Sequence, residues 1–141
     1  MDRLKSQKGS ILVEFAVCGI MFVGFVMGII VTGIWIYNSS QVSQAARIAA
    51  HNVGVTDNAA ESQKMALNYL NKALIACPTR GAVAYSTPEN GYGVAEAYME
   101  PLFPGFQKLI DPFGASNVKG KIHIRKEAVR IREYMLRIGV E

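Results

Sequence analysis

The amino-acid sequence places one carboxylate, Glu14, at the start of a long apolar segment, five residues after Gly9. The residues before the glycine include three cations, Arg3, Lys5 and Lys8. An ionisable group at the centre of a membrane helix costs roughly 2.5–3.5 kcal/mol, and such groups usually serve a function. Three interpretations of Glu14 stay open: a residue that reaches the membrane surface without a role, an ion pair with a partner helix, or part of a processing signal.

The rest of the sequence lacks the residue patterns of an enzyme or of a metal site. The two histidines, His51 and His123, fall in different predicted elements, and no cysteine lies near either of them. Metal-ligand spacing, a phosphate-binding glycine loop and a serine elbow are all absent from the sequence. We therefore expect no enzymatic activity, no cofactor, no metal and no small-molecule substrate.

The cysteines argue against a disulfide-bonded framework, and the charge distribution argues against nucleic-acid binding. Cys18 lies in the apolar segment and Cys77 far outside it, so we expect no disulfide between them and a buried Cys77. The net charge is +4, and residues 119–141 are basic. Because no aromatic stacking platform is interleaved with these cations, we expect a solvated strand face and no nucleic-acid partner.

Residues 15–37 form a segment without any charged side chain. As a helix it would be about 34 Å long, which exceeds the roughly 30 Å hydrocarbon core of a bilayer. We therefore predict a single transmembrane helix whose partner is the lipid bilayer. The cations before the segment place the N-terminus in the cytoplasm by the positive-inside rule, and the C-terminal domain outside. The segment is too long for a cleavable secretory signal.

Three small residues within the predicted span, Gly24, Gly28 and Thr32, are spaced four positions apart. A face of small residues at this spacing lets a second helix approach closely. Glycine is also common in membrane helices in general. The spacing alone therefore leaves both interpretations open.

The apolar helix should continue beyond the membrane. Between residues 38 and 51 there is neither glycine nor proline, and apolar residues, many of them alanine, recur at helical spacing. We predict one continuous helix over about residues 10–53. Gly54 is the predicted C-terminal cap.

A second, amphipathic helix is predicted to begin near Thr56, Asp57 and Asn58, which are all suitable N-cap residues. Asn58 and Glu61 have the spacing of a capping box, although Asn replaces the usual Ser or Thr. The predicted apolar stripe consists of Ala66, Leu70, Ala73, Leu74 and Cys77. Pro78 should end the helix, because the residue before a proline avoids helical geometry.

The pattern after Pro78 changes to turn residues and alternation. Residues 82–86 and 93–100 are predicted strands of a hairpin, with a turn at 87–91. The proline-rich, apolar segment 101–106 begins a loop that runs to about residue 117 and should cover a surface. From Val118 alternation predicts a half-buried strand. For residues 124–138, strand segments with a bulge and a strand followed by a short helix both fit; we prefer strand because β-branched residues dominate the first half.

Residues 8–15, with the sequence Lys-Gly-Ser-Ile-Leu-Val-Glu-Phe, resemble the class III signal of type IV pilin precursors. These have a short basic leader, a glycine, and a hydrophobic stretch with Glu at the fifth mature position. Residues 13–16 and 38–50, the latter with an alanine-rich run at 45–50, are similar to the TadE-like minor pilins of Tad pili. Hydrophobic, proline-rich loops followed by a final basic strand also recur in that family.

The resemblance implies that prepilin peptidase cuts between Gly9 and Ser10. Cleavage would remove the basic leader and create an α-amino group on Ser10 that is positive at pH 7. In the pilin family, the Glu at the position of Glu14 pairs with the N-terminal amine of a neighbouring subunit. Two groups that are costly alone in apolar surroundings are tolerated there as a hydrogen-bonded pair.

The elements together predict an α+β protein with a long N-terminal transmembrane helix that extends into the periplasm, a second amphipathic helix and a small antiparallel sheet. The expected divisions are a cytoplasmic leader at 1–9, a transmembrane and extended helix at 10–53, and an extracytoplasmic domain at 54–141. The expected function is that of a structural minor pilin in the bacterial inner membrane, which acts with other pilin subunits and the pilus assembly machinery in assembly and adhesion.

Three alternatives stay open. One is a pseudopilin of a type II secretion system, although the calcium-binding carboxylate loop or head disulfide often found there is not visible in the sequence. The second is an unprocessed, single-pass anchored protein whose periplasmic domain binds a partner. The third is a small tethered periplasmic enzyme, which the lack of a catalytic constellation disfavours.

Overall fold

A computed structural model describes the backbone of residues 2–100, 117–118 and 121–132, and the side chains of residues 11–100 and 121–132. The chain divides into two compact units, residues 1–33 and residues 34–141, and we call the second unit the head. The loop predicted to begin at residue 101 lies outside the described residues up to residue 116. Residues 133–138, part of the region whose structure the sequence left open, also lie outside them.

Helix α1 spans Asp2–Thr56, so the predicted continuous helix is confirmed and is longer at both ends. The prediction that Gly54 caps it was wrong, because the helix passes through Gly54 and ends two residues later. The first residue after the helix is Asp57, which has a left-handed φ of 55°. Its backbone N–H donates a hydrogen bond to the Val53 carbonyl oxygen at 3.1 Å. Asp is among the residues that tolerate this conformation.

Helix α2 spans Ala59–Ala73 and begins at the predicted cap. The Asn58 side-chain oxygen accepts the Glu61 backbone amide at 3.1 Å. The Asn58 backbone amide donates to the Thr56 hydroxyl oxygen, and the Glu61 carboxylate instead accepts from the Asn58 side-chain nitrogen at 3.4 Å. Only half of the capping box therefore forms. The predicted end at Cys77 was wrong: Leu74 is already extended, and Cys77 is buried in the segment that follows the helix.

Within the described residues, four strands form one antiparallel sheet in the order β1-β2-β4-β3. Their bounds are Thr79–Ser86 for β1, Asn90–Met99 for β2, Asn117–Val118 for β3 and Lys121–Ile131 for β4. Strands β1 and β2 form the predicted hairpin, and the Thr87 amide donates to the Asn90 carbonyl at 2.8 Å across the turn. Strand β4 pairs with β2 without interruption over residues 122–131. The open region is therefore strand, without a bulge, as far as residue 131.

The core of the head lies between one face of the sheet and the two helices. In β2 burial alternates strictly along the strand, which is the pattern of a sheet with one covered face. The buried residues are mostly small: Val42, Ala45, Ala46, Ala49, Ala50 and Val53 from α1, Ala66 from α2, and Ala84, Ala95 and Ala97 from the sheet. The larger buried side chains are Leu70 of α2 and Met99, Ile122 and Ile124 of the sheet. Because alanine buries little apolar area, the alanine-rich part of this core depends on close approach of the backbones.

The closest approach is between α1 and β2. A Cβ atom placed on Gly91 would lie 2.7 Å from the Ala50 carbonyl oxygen and 2.8 Å from the Gly54 nitrogen. Gly91 must therefore lack a side chain, because the α1 backbone at Ala50 and Gly54 lies directly against it.

Candidate assembly surface on the apolar helix

The first turns of α1 after the leader expose apolar side chains on every side. A window of this helix has a mean hydropathy of 2.5, and 6% of it is buried. The most exposed large side chains are Phe15, Ile20, Leu12, Met21, Phe22 and Phe25. A helix that is apolar all round is either buried or in a membrane. The long apolar helix is therefore suited to membrane anchoring.

Glu14 lies on this helix among apolar residues, with its side chain exposed. None of the ion pairs between described side chains involves it. A carboxylate in this position is available to a group supplied by a second molecule or by the membrane surface. It remains the one acid between the leader and the head.

The predicted cleavage site lies within the backbone of α1, since Gly9 and Ser10 are both helical. Ser10 and Glu14 are four residues apart, so they occupy the same face, with an axial separation of about 6 Å. A new amine on Ser10 would stand at the positive end of the helix dipole, where a cation is disfavoured and a nearby carboxylate offsets the cost. Ser10 and Glu14 of one chain thus lie one turn apart on one face, whereas the predicted pair joins these two groups across neighbouring subunits.

The predicted packing residues Gly24 and Gly28 have open surfaces. A Cβ atom placed on either glycine would meet no atom within 4 Å. The Thr32 hydroxyl donates to the Gly28 carbonyl oxygen at 2.8 Å, so its polar hydrogen is already satisfied within the helix. The three residues form a smooth strip on α1, and their role in helix packing stays a prediction.

Asn38 is a buried polar residue that the sequence analysis did not single out. Its side-chain nitrogen donates to the Ile75 carbonyl oxygen at 2.8 Å, and its side-chain oxygen accepts the Ile75 amide at 3.1 Å. The side chain is fully buried. The sequence could have indicated that Asn38 is buried, because it lies on the same helical stripe as Val42 and Ala45. A buried side-chain amide then requires hydrogen-bond partners.

Replacing Asn38 by alanine should destabilise the head by about 2 kcal/mol, because both backbone groups of Ile75 lose their partner. Urea unfolding of the full chain in detergent micelles, followed by near-ultraviolet tyrosine circular dichroism, measures this loss. Asn52→Ala on the same helix is the control: its amide contacts the Met65 sulfur, and its removal should change stability by less than about 0.5 kcal/mol. Equal losses from the two variants would contradict the assigned role.

Asp57 connects the junction of the two helices to the ends of the sheet. It accepts a hydrogen bond from the Ser86 hydroxyl at 2.6 Å and forms an ion pair with Arg132. The Arg132 amide also donates to the Glu89 carbonyl oxygen at 3.1 Å. The hydrogen bond from Ser86, followed by the contribution of Arg132, lowers the pKa of Asp57 below its ordinary value of 3.8.

Because this pKa is lowered in the folded head, part of the free energy of unfolding of the head depends on pH. The unfolded chain binds the Asp57 proton at a higher pH than the folded chain, so the stabilisation is complete above about pH 4 and is lost as the pH falls through the folded pKa. The difference in urea midpoint between the parent chain and Asp57→Asn should therefore shrink as the pH is lowered from about 5 to about 2. The control is Asn71→Ala, exposed on α2, which removes no titratable group, so its difference from the parent chain should stay constant.

The two cysteines are free, and the predicted burial of Cys77 is confirmed at 4% exposure. Burial raises the pKa of the Cys77 thiol to about 11, against a smaller opposing effect of Arg80. The thiol is thus protonated at neutral pH and unreactive. Cys18 is exposed on the apolar helix.

The titratable side chains of the described residues form no group of three or more that could hold a metal ion. His51 is exposed on α1. His123 on β4 lies 3.2 Å from the Glu96 carboxylate and stacks on Tyr98 with ring centroids 4.6 Å apart. The two histidines therefore do not form a common site.

Comparison with known proteins finds a similarity in the N-terminal part of the chain. Residues 9–51 match the family model described as TadE-like protein. The match begins at Gly9 and ends at His51, so it covers the apolar helix and its alanine-rich continuation. The predicted resemblance to TadE-like proteins is confirmed over this segment, and the class III signal stays a prediction. No curated protein and no solved structure matches the chain.

Proposed function

We propose that this chain, TadE-like over residues 9–51, is a minor pilin of a Tad-type pilus, made as a membrane-anchored precursor in the bacterial inner membrane and cut between Gly9 and Ser10. The observation that carries the proposal is the family match, which begins at the glycine of the predicted cleavage site. The exposed apolar helix supports it, because a subunit that moves from lipid into a filament needs such a surface before and after the move.

The chemistry of assembly follows from removal of the leader. The cations Arg3, Lys5 and Lys8 hold the N-terminus in the cytoplasm and oppose its withdrawal into the apolar phase. Prepilin peptidase removes them together and leaves one positive amine on Ser10. That amine then pairs with Glu14 of a neighbouring subunit, which sets the axial position of one helix against the next.

The apolar helix supplies the remaining contacts of the filament. Gly24, Gly28 and Thr32 allow a second helix to approach closely, because nothing projects from the two glycines. The head then lies at the surface of the pilus, where it contacts other pilin subunits, the assembly machinery or the adhesion target.

The intact mass of the membrane-extracted protein, with and without co-expressed prepilin peptidase, tests the proposal. The peptidase should reduce the mass by that of residues 1–9. Gly9→Leu, which places a bulky side chain at the bond to be cut, should stay intact, whereas Gly19→Leu on the same helix should be cut normally. No loss of mass under conditions that process a known prepilin would disprove the proposal.

The second candidate is an unprocessed anchored protein whose head binds a partner. The head has its own core of buried residues, which supports folding without assembly. The same mass measurement separates the two functions, because the second requires that residues 1–9 stay attached. The family match favours a Tad system over a type II secretion pseudopilin.

A further inference from the structure

Strand β4 has a hydrogen-bonded neighbour on only one side for most of its length. On one side, residues 122–131 pair with β2 in unbroken register. On the other side, β3 pairs with Lys121 and Ile122 alone. Among the described residues no strand pairs with the outer edge of residues 123–131. Their outward N–H and C=O groups therefore form a row that an added strand can pair with.

The opposite edge of the sheet is not equivalent. Strand β1 lies against α2, where Ala84 packs in one cluster with Ala66. The Gln63 side chain of α2 donates to the Ala84 carbonyl oxygen at 3.4 Å. A backbone group of β1 is thus already occupied by a side chain of the head. Among the described residues, α2 thus contacts the β1 edge of the sheet, whereas no described element pairs with residues 123–131 along the β4 edge.

A groove runs beside the open edge of β4. It has a volume of about 430 Å³ and is lined by Ser43, Arg47 and Ala50 of α1 and by residues 127–130 of β4. Both walls belong to the head. An extended segment paired with β4 would place every second side chain towards this groove.

The side chains at this edge divide into two rows. Lys126, Ala128 and Arg130 pair with Ala95, Gly93 and Gly91, which are buried residues of β2. These three therefore lie on the face of the sheet that α1 covers, together with the exposed Arg47. The other row ends in Val129 and Ile131, which are 56% and 60% exposed.

This arrangement specifies the chemistry of an added strand. On the helix side the cations Arg47, Lys126 and Arg130 require acidic side chains opposite them, since opposite charges across strands stabilise pairing. On the other face the exposed Val129 and Ile131 require apolar ones. A second copy of β4 does not fit, because the cations of the two copies would repel one another.

We propose that the open edge of β4 is a strand-addition site for a second protein, whose extended segment alternates acidic and apolar residues. Main-chain hydrogen bonds supply affinity in this mode, and alternate side chains supply specificity. The site goes beyond the proposed pilin function and does not depend on leader cleavage. A chain that is never cut would still bind such a segment.

Amide hydrogen exchange of the full chain in detergent micelles, measured by NMR, tests the site. The probe is a capped seven-residue peptide that alternates Glu and Val, and the control peptide alternates Lys and Val. Without peptide, amides of residues 123–131 should alternate between slow exchange, where they face β2, and fast exchange, where they face outward. The Glu–Val peptide should slow the outward amides at least tenfold, and the Lys–Val peptide should leave them unchanged.

A matched pair of charge reversals tests the recognition. Arg130→Glu in the groove should weaken binding of the Glu–Val peptide at least tenfold, whereas Lys72→Glu, the same change on the exposed surface of α2, should not. Slow exchange of the inward amides shows that each variant is folded. The proposal is wrong if the outward amides already exchange slowly without peptide, or if the Glu–Val peptide does not bind. It is also wrong if the peptide binds without slowing the outward amides. Equal effects of the two peptides, or of the two variants, would overturn it as well.

Discussion

Replacing Glu14 by alanine should leave leader cleavage intact and reduce incorporation into filaments at least tenfold. The proposed cleavage acts on the bond between Gly9 and Ser10, which lies four residues before Glu14. The proposed incorporation into filaments requires the carboxylate, because the amine on Ser10 would otherwise enter an apolar helix bundle without a partner. Intact mass measures the first step, and the amount of subunit in sheared pili measures the second.

Two comparisons make the Glu14 experiment specific. Glu89→Ala removes an exposed carboxylate from the hairpin turn of the head and should leave both steps unchanged. Glu14→Gln keeps a hydrogen-bonding side chain without the charge, so it separates the contribution of charge from that of hydrogen bonding. If Glu14→Ala subunits enter pili at the normal level, the proposed pairing with the amine is wrong.

Replacing Gly93 by alanine should destabilise the head by about 3 kcal/mol or prevent its folding. The added Cβ atom would overlap the carbonyl oxygen of Ala46, and it would lie 2.5 Å from the nitrogen of Ala50. Both are main-chain atoms of α1, which cannot rotate away as a side chain can. The helix and β2 would have to separate, and the alanine-rich core depends on their close approach.

Gly81→Ala is the matched control for Gly93→Ala on the same hairpin. Its Cβ atom would meet only the Glu96 side chain, at 3.0 Å from a carboxylate oxygen, and this flexible group can move into solvent. The change in stability should stay within about 0.5 kcal/mol. Urea midpoints of the full-length chains measure both effects. Similar midpoints for the two variants would refute the importance of the contact between α1 and β2.

Much of the fold was predictable from local patterns. The uncharged run at 15–37 predicts a membrane-length helix, and the alanine-rich continuation extends it, because helical periodicity is a property of neighbouring residues. Asn58 marks the start of α2 for the same reason, since a cap acts on amides two or three positions away. The turn residues at 87–91 likewise predicted the hairpin.

Local patterns failed where a distant segment determines the backbone. The apolar stripe of α2 continues to Cys77, yet the helix ends at Ala73. Just beyond it, the Ile75 backbone pairs with the Asn38 side chain of α1, and Ala76 takes a left-handed φ of 55°. Residue 38 is far from residue 75 in the sequence, so no periodicity in α2 could reveal this contact.

For the candidate site, too, some features were predictable from the sequence and others required the tertiary structure. The sequence by itself determined the long apolar helix, the spacing of Glu14 from Gly9, and the strip of small residues, because each depends only on neighbouring residues along one helix. The contact of Gly93 with α1, the partner of Asn38 and the open edge of β4 depend on which segments meet in the folded head. Packing between distant backbones decides these, and it leaves no periodic signal in the sequence.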